Sequence, residues 1–281
     1  MITHSVAGGG GLQLHVREWG RPDAPSILFI HGWSQNHLCW SRQCQSALAD
    51  RFRLVAFDLR GHGMSDAPPE QERYTDARLW AGDIAAIIDQ LGLDRTVLVG
   101  WSYGGFIICD YLRAFGQQAI AGIVFVDAAV TLDQSAFGTL IGPGFLDHVP
   151  GATSGDFSTN IAAIRSFLRA CTARPLSAED YETALCWNII VPARVRAALL
   201  ARQINSNDVL AMLKRPLLVM QGESDRLILR AMAEHILATC PTAKASWYAE
   251  TGHAPFLEET TRFNRELAEF AAQSRAGPQG H

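Results

Sequence analysis

The sequence predicts an α/β fold in which a mostly parallel sheet is covered by helices on both faces and carries an inserted helical lid. Three observations lead there. Five short apolar runs, "SILFI" (26–30), "RLVAF" (53–57), "TVLVG" (96–100), "GIVFVD" (122–127) and "PLLVM" (216–220), are each bounded by turn residues. Most are separated by helical patterns such as "ARLWAGDIAAIIDQLGL", and strands that are apolar on both faces and alternate with helices belong to a sheet buried between helical layers. Between Asp127 and Pro216 the helical periodicity runs on with no convincing strand, so the rhythm is broken by an insertion.

Each element follows from its local pattern. "THSVAGGGGLQLHVREWG" alternates apolar and polar residues on either side of four glycines, a hairpin signal at a sheet edge. The core then spans 1–127 and 208–275, and the lid spans 128–207, with "NIAAIRSFLRACT" and "YETALCWNIIVPARVRAALLARQI" as its helices. The lid aromatics Phe137, Phe145, Phe157, Phe167 and Trp187 suit the lid's own core. Some must also face the sheet, which makes Phe137, Phe145, Phe167 and Trp187, together with Trp101, the candidate pocket residues. The strand-like "KASWY" and the helix "TTRFNRELAEFAAQ" close the core, and "AGPQGH" (276–281) reads as a disordered tail.

Composition narrows the partners. The chain has 281 residues, enough for a sizeable core, and its 24 basic and 28 acidic residues give a formal charge of −4 without runs of like charge. That balance offers no footprint for nucleic acid or an anionic membrane. Six scattered cysteines without a CxxC pair fit a reducing cytoplasm. The start lacks a basic segment followed by an apolar one, and the longest apolar stretch, "AIAGIVFVDAAV", is interrupted by Asp127 and too short to span a bilayer. A cytoplasmic protein that is not exported is expected.

The chemistry centres on "LDRTVLVGWSYGGFIICDYL", where Ser102 falls on the corner between a strand and a helix. Ligands of open parallel sheets bind beyond the carboxyl ends of the strands, so this corner is well placed. A nucleophile on so tight a turn strains its backbone and leaves no room for side chains two residues away, which accounts for Gly100 and Gly104. A dinucleotide-binding GxGxxG would need glycine where Ser102 stands. A serine hydroxyl is a poor nucleophile at neutral pH unless a histidine takes its proton and a carboxylate orients that histidine. Of nine histidines, His253 in "AETGHAPFLEE" sits on a loop after the last strand-like run, at the same sheet edge. Asp225 in "LLVMQGESDRL" is the preferred acid, and Asp127 is the alternative, whose plainer role would be to bind backbone at its strand end. The oxyanion of a tetrahedral intermediate needs donors, and losing one costs roughly 3 kcal/mol in the barrier. "FIHGWS" supplies the backbone N–H of Trp33, and the helix start supplies that of Tyr103. His31 reads as a brace for that loop. His31, His37 and His62 lack metal-ligand spacing, so no metal is expected.

HGWS, DLRGHGMSD, GWSYGG, GESD and GHAPF, in this order, make the chain resemble the α/β-hydrolase fold family over roughly residues 10–272. The resemblance implies an eight-stranded sheet, a Ser102, Asp225, His253 triad, an oxyanion hole from the Trp33 and Tyr103 backbone, and a cap over about Ala128 to Asn207. "HGWSQNHLCW", "GWSYGG" and "GHAPF" further resemble the small carboxylesterases that cleave pimeloyl-carrier-protein methyl ester. In those enzymes cap arginines are implicated in docking an acidic carrier. Here Arg165 and Arg169 lie one turn apart, but the cap's six arginines are matched by six acidic residues, so a carrier protein is possible but unsupported.

The expected function is therefore that of a cofactor-free serine esterase acting on a small-molecule ester, or on a related acyl compound such as a lactone, through an acyl-enzyme. The side chains of Trp101 and Tyr103 are read as packing rather than chemistry. Two alternatives use the same site: carbon–carbon bond hydrolysis, and dioxygenase or lyase chemistry with a histidine base, for which the spacing of Trp33 and His37 is suggestive. A non-catalytic ligand-binding member of the family is a third.

Overall fold

The computed structural model describes residues 1–276. The glycine-rich alternation at the start folds into β1 (Ile2–Ala7) and β2 (Gln13–Gly20), joined by a turn at Gly9–Gly11. The apolar runs become β3 (Ser26–Ile30), β4 (Arg53–Phe57), β5 (Thr96–Trp101) and β6 (Ile120–Val126). After β7 (Thr131–Leu132) and β8 (Ile204–Asn205) come β9 (Leu217–Gly222) and β10 (Ala243–Tyr248). Eight of these strands form one sheet in the order β1-β2-β4-β3-β5-β6-β9-β10. Only β1–β2 and β2–β4 pair antiparallel, so the expected mostly parallel, eight-stranded architecture is present.

Both faces of the sheet are dry. Leu28, Ile30, Val55, Phe57, Leu98 and Phe125 pack on one side, and Ile27, Phe29, Leu54, Val97, Val99 and Val124 on the other. This is the period-two division of residues that are all apolar because both sides are covered. The helix at Ala77–Gln90 starts where the Asp76 carboxylate caps the Arg78 N–H at 2.9 Å.

Chain order reverses between β3 and β5: β3 is followed in sequence by β4 on one side, whereas β5 lies on its other side. The crevice at such a switch point, beyond the carboxyl ends of the strands, is where open α/β sheets bind ligands.

The segment after Asp127 departs from expectation in one respect. It contains two strands of two residues each: Thr131 pairs with Asn205 and Leu132 with Ile204, antiparallel, so the beginning and end of the inserted segment are tied together. Runs this short leave no period in the sequence. Between them lie helices at Phe157–Ala170, Ala178–Ile189 and Ala193–Leu200, the first capped by Asp156 and the second by Ser177. The long pattern at 181–204 is thus not one helix; the chain bends by 79° ahead of Ala193, where Pro192 lacks the N–H that continuation requires. No single helix among the described residues is long and apolar enough to cross a membrane. The last helix runs Thr260–Ala276, so Ala276 is helical, and the rest of the expected tail (277–281) lies outside the described residues.

The N-terminal turn is anchored by a buried ion pair. Arg60, fully buried, donates through Nε and Nη2 to the two carboxylate oxygens of Asp83 at 2.8 and 2.7 Å, and Asp83 also accepts the Gly9 N–H at 2.8 Å. Asp83→Ala leaves that guanidinium buried without its counter-charge, and such losses cost about 3–5 kcal/mol. Urea unfolding of this variant is expected to show a midpoint lowered by a corresponding amount.

Candidate active site

β5 ends at Trp101 and the next helix begins at Gly104, so Ser102 occupies the corner with φ of +54°. Few non-glycine residues adopt that conformation, and those that do are held by their surroundings. Here the Ser102 N–H donates to Val126 O at 3.0 Å, while its carbonyl accepts from Gly105 N and Ala129 N, each at 3.0 Å. The corner is also crowded. A Cβ on Gly104 would lie 2.6 Å from the Ile30 carbonyl oxygen, and one on Gly100 would lie 2.9 Å from Gly104 O.

His253 lies on the loop after β10, 2 % exposed, with its N–H bound to Cys171 O at 2.8 Å and its carbonyl accepting from Trp101 Nε1 at 2.7 Å. Its Nδ1 is 2.7 Å from Asp225 Oδ2. An ionised carboxylate can only accept, so Nδ1 carries a proton, and in the neutral ring Nε2 is the nitrogen with the lone pair. The other Asp225 oxygen accepts from Leu227 N at 2.7 Å and Ile228 N at 3.2 Å, which aims the carboxylate at the ring. Asp127, the alternative acid, binds the Gly222 N–H through Oδ1 at 2.8 Å and makes no bond to His253 among the described residues. Burial, followed by the nearby Asp225 charge, pushes its carboxyl well above the usual range.

Ser102 and His253 line one cavity. Among the described residues the Ser102 hydroxyl makes no hydrogen bond to Nε2, and such contacts are commonly long before substrate binds. The N–H groups of Trp33 and Tyr103 have no acceptor among the described residues, although both residues are buried. A Cβ added at Gly32 would meet Ser102 Cβ at 3.0 Å, which shows how closely this loop passes the corner.

The cavity opens to solvent, and the space between its lining atoms, counted with that opening, is about 470 Å³. Trp101, Phe145 and Phe167 from the candidate pocket set line it, with Phe106, Leu132, Ile141, Leu200, Leu227 and Ile228. Phe137 and Trp187 do not. Phe137 sits in a turn and is 45 % exposed, while Trp187 packs against the core with its Nε1 on Gln35 Oε1 at 2.7 Å. Phe157, expected in the lid core, is 82 % exposed at the first turn of its helix. His37 lies outside the cavity lining, with Nδ1 hydrogen-bonded to Asp58 Oδ1 at 2.7 Å.

Residues 25–260 match the alpha/beta hydrolase fold family. The chain belongs to that family. Among the solved structures it is similar to the esterase RhEst1 from Rhodococcus sp. ECU1013, with 35% identity, 97% of this chain and 99% of that one covered, and a TM-score of 0.92. Among curated proteins it is similar to the pimeloyl-[acyl-carrier protein] methyl ester esterase of Vibrio campbellii, 24% identical over 92% of this chain and 98% of that protein. It is also similar to the AB hydrolase superfamily protein YisY of Bacillus subtilis, 26% identical over 90% and 92%.

Within this α/β-hydrolase the Trp33 loop rests on two buried histidines. His31 binds Gly32 O through Nδ1 at 2.8 Å and accepts the Leu59 N–H on Nε2 at 3.0 Å. His62 binds Arg60 O through Nδ1 at 3.0 Å and accepts the Ser34 N–H at 3.2 Å. Each imidazole donates once and accepts once, which only the neutral form can do. Burial accordingly holds His31 down to about 3 and His62 down to about 4. His62 was visible in sequence only as one histidine in a glycine-rich turn, and nothing there points to Ser34.

The unfolded chain binds these protons near pH 6.5, whereas the folded protein resists them until about pH 4 at His62. Stability from the neutral ring is therefore complete above pH 6.5 and is lost as pH falls through that window, by up to roughly 3 kcal/mol for His62. Urea titrations between pH 7 and 4 are expected to show His62→Gln losing less stability over this interval than the parent. At the corner, Gly104→Ala is expected to lower the thermal midpoint by the equivalent of roughly 1–3 kcal/mol, because its methyl would press against the backbone carbonyls of Ile30 and His31, which cannot turn aside as a side chain can.

Proposed function

We propose that this α/β-hydrolase-fold enzyme of the esterase type cleaves a neutral carboxylic ester, or the related lactone, through an acyl-enzyme on Ser102. The observation that carries the reading is the 2.7 Å contact between His253 Nδ1 and Asp225 Oδ2, made at the wall of the cavity that Ser102 also lines.

In the proposed reaction Ser102 Oγ attacks the ester carbonyl carbon while His253 Nε2 takes the hydroxyl proton. Asp225 keeps the imidazole in the productive tautomer and stabilises the imidazolium that forms. The carbonyl oxygen, now an oxyanion, is met by the Trp33 and Tyr103 N–H groups, which have no other acceptor among the described residues to give up. Collapse of the tetrahedral intermediate breaks the bond to the alcohol oxygen, which leaves with the proton returned by His253. Water repeats the sequence, His253 again accepting a proton, and the carboxylic acid departs from Ser102.

The substrate reading rests on the walls. Apart from Ser102, Tyr103, His253 and Gln35, the side chains lining the cavity are apolar, which disfavours a charged acyl group that would lose its hydration without gaining a counter-charge. The esterases among its relatives agree with this chemistry.

Fluorophosphonate labelling is expected to modify the parent protein and not Ser102→Ala; a well-folded parent that resists labelling overturns the acyl-enzyme. Asp225→Asn is expected to lower kcat on p-nitrophenyl esters by about 10⁴-fold. Across a panel of acyl chain lengths, short esters are expected to outperform dodecanoyl esters, since the aromatic and aliphatic walls leave little space beside Ser102.

A further inference from the structure

Arg196 is a charged residue that the proposed reaction does not use. It lies on the lid helix at Ala193–Leu200 and is 1 % exposed. Among the described residues no carboxylate lies within ion-pair distance of it. Its partners are all neutral: Nη1 donates to Asn188 O at 2.9 Å and Ser34 Oγ at 3.2 Å, and Nη2 donates to Asn160 Oδ1 at 2.7 Å. Nε has no acceptor. Burial lowers its affinity for the proton to a pKa of about 10, still far above neutral pH, so the side chain is a buried cation. Arginine is almost never fully buried without a counter-charge, and removing it from water is costly.

What this residue holds is the loop that carries the Trp33 N–H. Its guanidinium grips Ser34, the next residue, whose own φ of +63° needs support. Its backbone carbonyl accepts the Trp33 indole N–H at 3.1 Å. The indole is further wedged edge-on between lid residues Phe145 and Phe167, at centroid distances of 5.2 and 5.4 Å. The peptide N–H of Trp33 therefore has the lid on its side chain and Arg196 on its C-terminal neighbour.

We propose that Arg196 is a positioning residue: from the lid, it fixes the Trp33–Ser34 backbone so that the Trp33 N–H is aimed at the oxyanion. This rests on the serine-hydrolase reading above. The planar fork is what suits it to the task, because its two terminal nitrogens reach separate acceptors at once, Ser34 on the loop and Asn160 on a second lid helix. A lysine in its place keeps the charge but spans fewer of these acceptors.

The test separates positioning from mere support of the fold. Arg196→Met, Arg196→Lys and Ser34→Ala are compared with the parent in steady-state kinetics on a p-nitrophenyl ester. They are also compared in affinity for a trifluoromethyl ketone, whose Ser102 adduct bears an oxyanion, and for the matching methyl ketone, which binds without one. Arg196→Met is expected to lower kcat by roughly 10²-fold, approaching the loss of one oxyanion donor, with KM changed by less than about threefold. Trifluoromethyl ketone affinity should fall in parallel while methyl ketone affinity holds. Arg196→Lys and Ser34→Ala are expected to show the same split at about tenfold, and they decide the matter if Arg196→Met does not fold. Folded variants with unchanged kcat and adduct affinity overturn the proposal, as does an equal loss of affinity for both ketones. If the parent binds the two ketones alike and resists fluorophosphonate, the reading of the site itself fails, and this inference falls with it.

Discussion

The register between β3 and β5 is the constraint on which the site depends. Ile30 stands opposite Gly100 in a parallel pair, so the two chains leave the sheet side by side and pointing the same way. One exits into His31, Gly32 and Trp33; the other exits into Trp101, Ser102 and Tyr103. A shift of one residue would turn every buried side chain of the moved strand to the opposite face, and the packing on both faces forbids it. The crowding at Gly104, against the carbonyl of Ile30 itself, is the visible sign that the two exits are pressed together. A strained serine and a loop with a free N–H meet because the hydrophobic pattern of two strands allows no other alignment.

Around this pair the protein spends its buried polar groups on orientation. Asp127 holds the start of the turn that bears Asp225, by way of the Gly222 N–H. His31 and His62 hold the Trp33 loop from below, and Arg196 holds it from above. Most of their polar atoms are met by backbone or by neutral side chains, which costs less when the histidines stay uncharged, while Asp127 Oδ2 and Arg196 Nε have no partner among the described residues. The lid thereby contributes both apolar walls and part of the framework beneath them.

The sheet was largely legible in the sequence, because strands covered on both faces are written as short continuous apolar runs, and "SILFI" and "RLVAF" coincide with β3 and β4 residue for residue. Ser102, Asp225 and His253 were legible as candidates for a related reason: each follows such a run, and ends of parallel strands share one edge. What the pattern could not give was the partner of a buried side chain. Phe137 and Trp187 are apolar residues in a helical lid, yet one faces solvent and the other faces Gln35. Arg196, in "PARVRAALL", has the texture of a solvated helix face; it is buried where Ser34 and Asn160, remote in sequence, and Asn188, eight residues back, converge on it. The β7–β8 ribbon was invisible because two residues carry no period.

That ribbon bears on how such a protein diversifies. With Thr131 beside Asn205, everything between them leaves and rejoins the chain at one point, and an insert attached in this way can lengthen, shorten or be exchanged without disturbing strand alignment below. Freedom of that kind is limited from underneath: whatever replaces the insert must still offer a carbonyl to the indole of Trp33 and a donor to Ser34. Novelty in what the enzyme accepts can therefore accumulate on the outer and inner walls of the insert, while its underside remains tied to the loop it touches.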